Sequence, residues 1–312
     1  MRAIAIRGQG VTEAHLSPFR RSGIELATEA ASDRADAILV FGGDGTVHHQ
    51  LTAAIEQRTP MLVVPFGSGN DFARCLGLAT AEASLAAWKA FCAGAGNVRV
   101  IDAGRICSPQ AATTAYFCCV AGAGLDADAN RRANAMPRWL RGNGGYFLAA
   151  GLAILLRRNA RFRFRAERPA GSMPSVAIES AGPERVMLRW ADDPVIEAGG
   201  PGTLIAFANA PAYGGGFRMA PAARLDDGLL DAVFVHRIGR LRMLRLAAEL
   251  RGGTHIRHPE VQYLRASRID LESDPPLDLY ADGEFIARTP LRIEVVPRAL
   301  QVIVPAATSS AV

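Results

Sequence analysis

Two short glycine loops, each directly after an apolar run, constrain this chain more than any other feature. The first loop reads Gly-Gly-Asp-Gly-Thr and follows the run Ala37 to Phe41; the second reads Gly-Ser-Gly-Asn-Asp and follows Met61 to Pro65. A short apolar run bounded by turn residues predicts a buried strand, and glycine lets the backbone turn sharply where the strand ends. We therefore predict two strand–loop–helix units in succession.

Each loop is expected to open a helix. Thr46 is suited to the N-cap position of the first helix, and the second helix is expected to open at Asn70 or Asp71 and to continue through Leu78. Helix N-termini present N–H groups and a positive dipole end, which favour phosphate. Because open α/β sheets bind ligands at the carboxyl ends of their strands, the two loops together predict one anion site. A plain glycine turn is the alternative for either loop alone, and neither is a Walker A motif.

The order of strand and helix patterns along the 312 residues predicts two domains. In the first hundred residues, strands at Arg2–Arg7, Ala37–Phe41, Met61–Pro65 and Val98–Asp102 alternate with helices, the last of them at Ala81–Ala93. This alternation is typical of a doubly wound α/β domain. Beyond about residue 105, short strand-like runs between Gly, Pro and Asp residues predict an antiparallel, β-rich domain. These runs are Tyr116–Ala121, Arg161–Ala166, Arg185–Trp190, Leu204–Ala208, Leu230–Val235, Val261–Leu264 and Arg268–Leu271.

Composition limits the partners and the compartment. A formal net charge of +5 is compatible with an anionic substrate, an anionic membrane or nucleic acid. The odd number of cysteines, five, and the lack of a signal-peptide pattern predict a reduced, cytoplasmic protein, and no Cys/His cluster indicates zinc. The longest apolar stretch, Tyr146 to Leu156, is much shorter than the roughly 20 residues that a membrane-spanning helix needs.

The segment from Arg131 to Arg165 carries nine arginines and no acidic residue, with apolar and aromatic residues between them. Such a segment is suited to an anionic membrane surface. A core helix with a solvated arginine flank is the alternative. Nucleic acid is not expected as a partner, because no DNA- or RNA-binding motif accompanies the charge.

The two loops are part of a wider resemblance. The segment Phe41–Thr46 followed by Pro65–Ala73 resembles the diacylglycerol kinase catalytic-domain family, which includes bacterial lipid kinases, sphingosine kinases and ceramide kinases. The first loop alone is shared with NAD kinases, whereas the second favours the lipid kinases. Later segments extend the resemblance over nearly the whole chain: Ile101–Gly104, Ala123–Asp126, Asn209 with Tyr213–Gly216, Leu225–Asp231 and Asp282–Glu284.

This resemblance implies an ATP-binding α/β domain over residues 1–105, to which a strand at about 296–306 returns, and a β-rich lipid-substrate domain over 106–295. It implies an ATP- and Mg²⁺-dependent kinase that phosphorylates diacylglycerol or a related lipid alcohol at the inner membrane face and gives phosphatidic acid or a similar lipid phosphate. The alternatives are an NAD-kinase-like kinase of a soluble acceptor and a non-catalytic nucleotide- or lipid-binding relative. A homodimer formed through an exposed strand edge is also open.

Residues of the nucleotide site follow from the matched loops. Backbone N–H groups of the first loop would cradle phosphates, and Asp44 would hold Mg²⁺ or an ordered water because a carboxylate repels phosphate. The loop Arg7 to Gly10 departs from the Asn-Pro-containing loop of the family. The full predicted set is Gly42, Gly43, Asp44, Gly45, Thr46, Gly67, Ser68, Gly69, Asn70, Asp71 and Thr28.

Carboxylates in the later segments are the remaining candidates. The resemblance implies that Glu284 is the catalytic base, with Asp282 and Asp44 completing the catalytic group; a simple β-turn at residues 282–284 is the alternative. Asp102 and Asp126 are the substrate-side candidates. By position, Asp227 and the carbonyls of Arg224 and Leu229 match a structural Mg²⁺ loop of the family, for which an Asp-Asp-Gly turn without metal is the alternative.

Overall fold

The computed structural model describes residues 2–21, 25–27, 35–136, 143–156, 159–168 and 195–306. The chain divides into two compact units. Unit 1 comprises Met1–Asp102 and Arg298–Val312, and unit 2 comprises Ala103–Pro297. Thr28 and the predicted strand Arg185–Trp190 lie outside the described residues.

Unit 1 is built on a parallel sheet. Its strands β1 (Arg2–Arg7), β2 (Glu25–Ala27), β3 (Ala37–Gly42) and β4 (Met61–Pro65) lie in the order β2-β1-β3-β4, with every neighbouring pair parallel. The end of a last strand, which runs over Leu291–Ile303, pairs beside β4. Every residue of β3 is buried, as expected for a strand covered on both faces.

Helices connect these strands, so the predicted doubly wound α/β fold is confirmed. They are α1 (Glu13–Arg20), α2 (Asp44–Glu56), α3 (Asp71–Cys75) and α4 (Ala81–Cys92). Thr80 caps α4 by accepting the Ala83 N–H at 3.2 Å. Two buried side chains fix α4 against its neighbours: the Ser84 hydroxyl donates to the Val63 carbonyl at 2.8 Å, and Trp88 Nε1 donates to the Phe19 carbonyl at 3.3 Å.

Two details of the predicted helices are wrong. Helix α2 begins one residue after Gly43, which is its N-cap, so Thr46 lies within the first turn and does not cap the helix. Helix α3 ends at Cys75 and does not continue through Leu78, because Gly77 adopts a left-handed conformation with φ of 77° and turns the chain.

Unit 2 is dominated by antiparallel strands, which confirms the second part of the predicted fold class. Its strands are β5 (Val98–Ser108), β6 (Thr113–Phe117), β7 (Val120–Gly124), β8 (Ala160–Glu167), β9 (Val195–Ala208), β10 (Leu230–His236), β11 (Val261–Ala266), β12 (Arg268–Asp274), β13 (Asp278–Ala281), β14 (Glu284–Arg288) and β15 (Leu291–Ile303), of which β5 begins and β15 ends in unit 1. The long strand β9 pairs with β8 along its first half and with β7 and β10 along its second half. Strand β13 lies between β7 and β14, and β11 pairs with β10.

The core of unit 2 explains part of the arginine-rich segment. Strand β8 alternates between buried and exposed positions: Phe162 and Phe164 pack edge-to-face on Phe234 at centroid distances of 5.4 and 5.6 Å, while the arginines between and beside them are exposed. This period of two is that of a strand with one face on the core. These arginines are therefore the solvated face of a core strand.

The described residues of unit 2 include three α-helices, α5 (Leu125–Ala135), α6 (Asn143–Leu156) and α7 (Arg240–Glu249), and a short 3-10 helix at Thr254–Arg257. Helix α6 contains the longest apolar stretch of the sequence. None of the helices that the structure describes combines the length and the apolar character needed to cross a membrane.

The predicted strand Tyr116–Ala121 is wrong, because the chain breaks it at a pair of cysteines. Strand β6 ends at Phe117 and β7 begins at Val120, so the buried residues Cys118 and Cys119 form a bend between them. The N–H groups of both cysteines donate to the carboxylate of a distant residue, Asp282. A side-chain acceptor thus replaces the strand partner that the apolar run led us to expect.

Candidate active site

The two glycine loops of unit 1 lie side by side at the carboxyl edge of the parallel sheet. In the β3–β4 register Phe41 pairs with Val64 and Gly42 with Pro65, and the Phe66 N–H donates to the Gly42 carbonyl at 3.0 Å. The loop after β1 joins them, since the Gly8 N–H donates to the Phe41 carbonyl at 2.6 Å. The structure therefore brings both predicted loops, and the atypical loop after β1, to one edge of the sheet.

Contact between the loops leaves no space for side chains. A Cβ on Gly67 would lie 2.4 Å from the Cα of Gly43, and a Cβ on Gly43 would lie 2.9 Å from the Cα of Gly67. A Cβ on Gly42 would lie 2.5 Å from Thr46 Oγ1. Gly43 and Gly67 are required by the close approach of their backbones, whereas Gly42 is required by the Thr46 side chain.

Asp44 ties the start of α2 to the start of α3. Its Oδ2 accepts the Asp71 N–H and its Oδ1 accepts the Phe72 N–H, both at 3.3 Å, and a Cβ on Gly69 would lie 2.6 Å from Oδ2. Such a carboxylate fits the predicted role of holding a divalent cation or a water beside bound phosphates.

Asn70 shapes the second loop from within. It adopts a left-handed conformation with φ of 55°, which asparagine tolerates. Its Oδ1 accepts the Gly67 N–H at 2.8 Å and its Nδ2 donates to the Gly67 carbonyl at 2.6 Å. The next residue, Asp71, is buried and binds Arg74 Nη1 at 2.7 Å. Asn70 and Asp71 thus hold the loop and place a cationic guanidinium at its edge, which suits an anionic ligand.

The other predicted residues of unit 1 have different surroundings. Gly45 and Thr46 lie in the first turn of α2, where N–H groups have no carbonyl partner in the helix, and Ser68 lies at the tip of the second loop. Asp102 is buried, and its Oδ1 accepts the N–H of Arg298, a residue with a left-handed φ of 54°, at 2.8 Å. The Asp102 carboxylate therefore stabilises the returning strand β15.

In unit 2, Asp282 is fixed at the tip of the β13–β14 hairpin. Asp282 and Gly283 both have positive φ, 49° and 90°, as in the Asp-Gly type I′ turns that join twisted strands. The Asp282 carboxylate accepts the N–H groups of Cys118, Cys119 and Val120 at 2.8, 2.9 and 3.2 Å. This carboxylate therefore anchors the hairpin to the bend between β6 and β7.

Glu284 begins β14 directly after this anchored turn. Its side chain is partly exposed, and within the part of the chain that the structure describes it makes no hydrogen bond or ion pair. The turn itself is held from a second side, because Asn134 Nδ2 at the end of α5 donates to the Gly283 carbonyl at 2.8 Å. A rigid turn that presents an unpaired carboxylate is the arrangement that a general base requires.

Asp126 lies at an apolar cavity of about 330 Å³ in unit 2. The cavity is lined mainly by apolar residues of α5, α6, α7 and the strands beside them, and Asp126, Tyr213 and His255 are polar members of its lining. The Tyr213 hydroxyl donates to Asp126 Oδ1. Burial raises the pKa of Asp126 to about 6, and the hydrogen bond from Tyr213 opposes this rise. A carboxyl and a hydroxyl thus provide hydrogen-bonding groups in a mostly apolar chamber.

An arginine of β11, Arg265, contacts the carboxylate of the predicted Mg²⁺ loop. Asp227 Oδ1 accepts the Leu229 N–H at 3.2 Å, and Asp227 Oδ2 accepts a hydrogen bond from Arg265 Nη2. Arg265 Nε also lies 3.3 Å from Asp231, a fully buried residue whose pKa burial raises to about 6. The Arg224 side chain is exposed and pairs with Asp226. With the guanidinium at Asp227, these residues do not fit a divalent cation.

Several residues that shape these sites carry no local sequence signal for their roles. Tyr213 lies in a segment that carried the family resemblance, yet its bond to Asp126 depends on a contact across 87 positions. Asn134 supports the hairpin across 149 positions, and Arg265 reaches Asp227 across 38. No local pattern signals such long-range pairs, so the sequence alone offered no means of finding them.

Two family profiles together match most of the chain. The diacylglycerol kinase catalytic domain matches residues 5–106, and the profile described as the YegS C-terminal NAD kinase beta sandwich-like domain matches residues 119–304. These ranges cover the described α/β and β-rich units in turn. The fold and the matched profiles therefore define a two-part kinase with an N-terminal catalytic domain of the diacylglycerol kinase type.

Individual relatives agree with this class. A diacylglycerol kinase of Mycobacterium tuberculosis is 34% identical over 280 residues, which cover 90% of this chain and 80% of that protein. A probable lipid kinase, YegS-like, of Chromohalobacter salexigens is 29% identical over 294 residues, which cover 91% and 80%. The crystal structure of a diacylglycerol kinase from Bacillus anthracis str. Sterne shares the fold, with a TM-score of 0.66 at 21% identity over 97% and 96% of the two chains. The chain belongs to the diacylglycerol kinase family of lipid kinases, which confirms the resemblance.

Proposed function

We propose that this chain transfers the γ-phosphoryl group of ATP to the hydroxyl of diacylglycerol or a closely related lipid alcohol, giving phosphatidic acid or a similar lipid phosphate. The observation that carries this choice of acceptor is the apolar cavity of unit 2 with Asp126 and Tyr213 in its lining. An aliphatic chain would fill the apolar part, and hydroxyl or ester groups would bond to Asp126 and Tyr213. A soluble dinucleotide acceptor would gain little from such a lining.

ATP would bind to unit 1. The facing glycines Gly43 and Gly67 expose backbone, and the first turn of α2 supplies N–H groups and a positive dipole end for the phosphates. Arg74, held by Asp71, supplies a positive charge. When bound, Mg²⁺ would neutralise charge on the phosphates, and Asp44 is the residue suited to hold it or its water.

Glu284 is the proposed general base. It would accept the proton of the lipid hydroxyl as that oxygen bonds to the γ-phosphorus of ATP and the bond to the bridging oxygen breaks, releasing ADP. Asp282 would act as a positioning residue, because its oxygens are engaged by three backbone N–H groups. Since the acceptor is a membrane lipid, the protein would work as a peripheral protein at a membrane surface.

To test this, the protein is incubated with γ-labelled ATP, Mg²⁺ and mixed micelles that contain diacylglycerol, monoacylglycerol, ceramide or sphingosine. A separate reaction contains NAD as the acceptor. Label is expected in a glycerolipid and should be lost in Glu284→Gln. The matched control is Glu272→Gln, which removes an exposed carboxylate of β12. Label in NAD alone would overturn the proposal in favour of a soluble acceptor, and ATP binding without label in any acceptor would indicate a non-catalytic relative.

A further inference from the structure

Exposed leucines of unit 2 are concentrated on two packed helices. Of the large apolar side chains that the structure describes, seven are exposed, and all but Phe285 lie on α6 and α7. They are Leu148, Leu152, Leu155 and Leu156 on α6, and Leu241 and Leu244 on α7. Scattered single apolar side chains are ordinary on protein surfaces, whereas a cluster of this kind marks an interaction site.

Each helix is two-sided. On α6 the exposed leucines follow helical spacing, while Ala149, Ala153 and Ile154 face the protein interior. On α7 the buried positions are Met243 and Leu246. The helices are joined by a hydrogen bond from Arg240 Nε to the Leu155 carbonyl at 3.0 Å. The six leucines therefore form one surface, which we call the leucine surface.

The charged residues around the leucine surface indicate which kind of partner binds there. Exposed arginines Arg237, Arg240 and Arg245 lie on α7 or just before it, and α6 carries no charged residue. The one acidic residue of α7, Glu249, lies at its end and binds His258 at 2.7 Å. Apolar side chains beside arginines suit the interface of an anionic bilayer. A second copy of this chain is disfavoured, because a symmetric contact would bring the same arginines together.

The leucine surface is continuous with the apolar cavity. Leu244 is both exposed and part of the cavity lining, and Gly151 and Ile154 of α6 and Met243 of α7 line the cavity from the inner side. A lipid chain that moved from a bilayer between these helices would remain among apolar groups. This path avoids the cost of exposing an acyl chain to water.

We propose that the leucine surface of α6 and α7 docks on anionic lipid bilayers and brings the membrane to the cavity. The proposal rests on the proposed function in taking the acceptor to be a membrane lipid. The proposed docking surface is not the whole segment from Arg131 to Arg165. The arginines of β8 lie on the solvated face of a core strand and are not expected to contact the membrane.

The test is flotation of the full chain with vesicles of phosphatidylcholine alone or mixed with phosphatidylglycerol, without ATP or diacylglycerol. Wild type is expected to bind the anionic vesicles. The double variants Leu241→Gln/Arg245→Gln and Leu148→Gln/Leu155→Gln should partition about tenfold more weakly, because each removes anchoring apolar area and the first also removes a charge. Arg163→Gln, an exposed arginine of β8, is the control and should bind like wild type.

Equal partitioning of wild type and both double variants would overturn the docking proposal. So would a wild-type dimer that becomes a monomer in the variants, since the leucine surface would then bind a second copy. Transfer of label to a dispersed short-chain diacylglycerol, measured in parallel, separates the two proposals. If the variants lose vesicle binding but wild type transfers no label, docking is upheld and the lipid kinase proposal is overturned. If wild type transfers label but the variants bind vesicles as wild type does, the lipid kinase proposal is upheld and docking is overturned.

Discussion

Gly43 and Gly67 approach so closely that a Cβ on Gly67 would lie 2.4 Å from the Gly43 Cα. One glycine ends the loop after β3, and the other opens the loop after β4, 24 positions later in the chain. Real Cβ atoms do not approach another backbone atom at this distance, so both positions require glycine. The contact explains why two separate glycine motifs act as one candidate nucleotide site.

Gly67→Ala should therefore weaken nucleotide binding. The new methyl group would push the two loops apart, which should cost about 1–3 kcal/mol in unfolding free energy and lower ATP affinity about tenfold or more. Calorimetric titration with a non-hydrolysable ATP analogue, together with urea unfolding, measures both effects. Gly252→Ala is the control, because a Cβ there would meet no atom nearer than 3.7 Å; equal ATP affinity of the two variants would contradict the proposed site.

Glu284→Gln should abolish most phosphoryl transfer without destabilising the fold. The side chain is partly exposed and makes no hydrogen bond or ion pair among the described residues, so its loss should change the melting temperature little. Removal of a general base should lower kcat by about 100- to 10,000-fold. Steady-state kinetics with the best lipid acceptor provide the measurement, and a kcat within a fewfold of wild type would rule out this residue as the base.

Asp282→Ala should affect stability and kcat together. Three N–H groups, of Cys118, Cys119 and Val120, would lose their acceptor. Buried donors left unsatisfied cost about 1–3 kcal/mol each, so the unfolding free energy should fall by about 3 kcal/mol or more. Asp282→Asn retains one acceptor oxygen and should fall between wild type and Asp282→Ala in both urea unfolding and kcat. Full stability of Asp282→Ala would show that the carboxylate is not an anchor.

Asp126 should make stability depend on pH. Burial raises its pKa to about 6 from an ordinary value of 3.8, so its contribution to stability is fully present below pH 4 and is lost as the pH rises through 6. The loss amounts to about 3 kcal/mol. Asp126→Asn stays neutral, so its unfolding free energy relative to wild type should increase between pH 4 and 7. Asp128→Asn, at a partly exposed position of the same helix, is the control and should not show this increase.

Because of Arg265, the stability of the protein should not depend on a divalent cation at the Asp227 loop. Because its guanidinium already contacts Asp227 and lies 3.3 Å from Asp231, Mg²⁺ or Ca²⁺ without nucleotide should leave the melting temperature of wild type unchanged. Arg265→Gln leaves two carboxylates without their cation, and added metal should then stabilise this variant by several degrees. Thermal melts of wild type and Arg265→Gln with Mg²⁺, Ca²⁺ or EDTA measure these shifts in melting temperature. Metal-dependent stabilisation of wild type that persists in Asp44→Asn would contradict the role given to Arg265.

The local elements of unit 1 were predictable because their signals are local. The apolar runs at Arg2–Arg7 and Met61–Pro65 became strands with the predicted bounds, since a continuous apolar run between turn residues suits a strand buried on both faces. Gly77 illustrates a failure of the same approach. Its left-handed φ ends α3 early, and the apolar residues Leu76 and Leu78, which we expected to continue the helix, give no indication of this end.

By itself, the sequence determined the class of this protein. Its loops and spaced motifs identify the family, and its periodicities identify an α/β part and a β-rich part, because these features depend on neighbours along the chain. Only the tertiary structure decided what the carboxylates do. Asp282 accepts backbone N–H groups and anchors a hairpin, and Asp126 accepts a hydrogen bond from Tyr213 beside an apolar cavity. Asp227 accepts a hydrogen bond from Arg265. The role of a carboxylate is set by burial and by partners that folding brings from distant positions, and no spacing in the sequence encodes them.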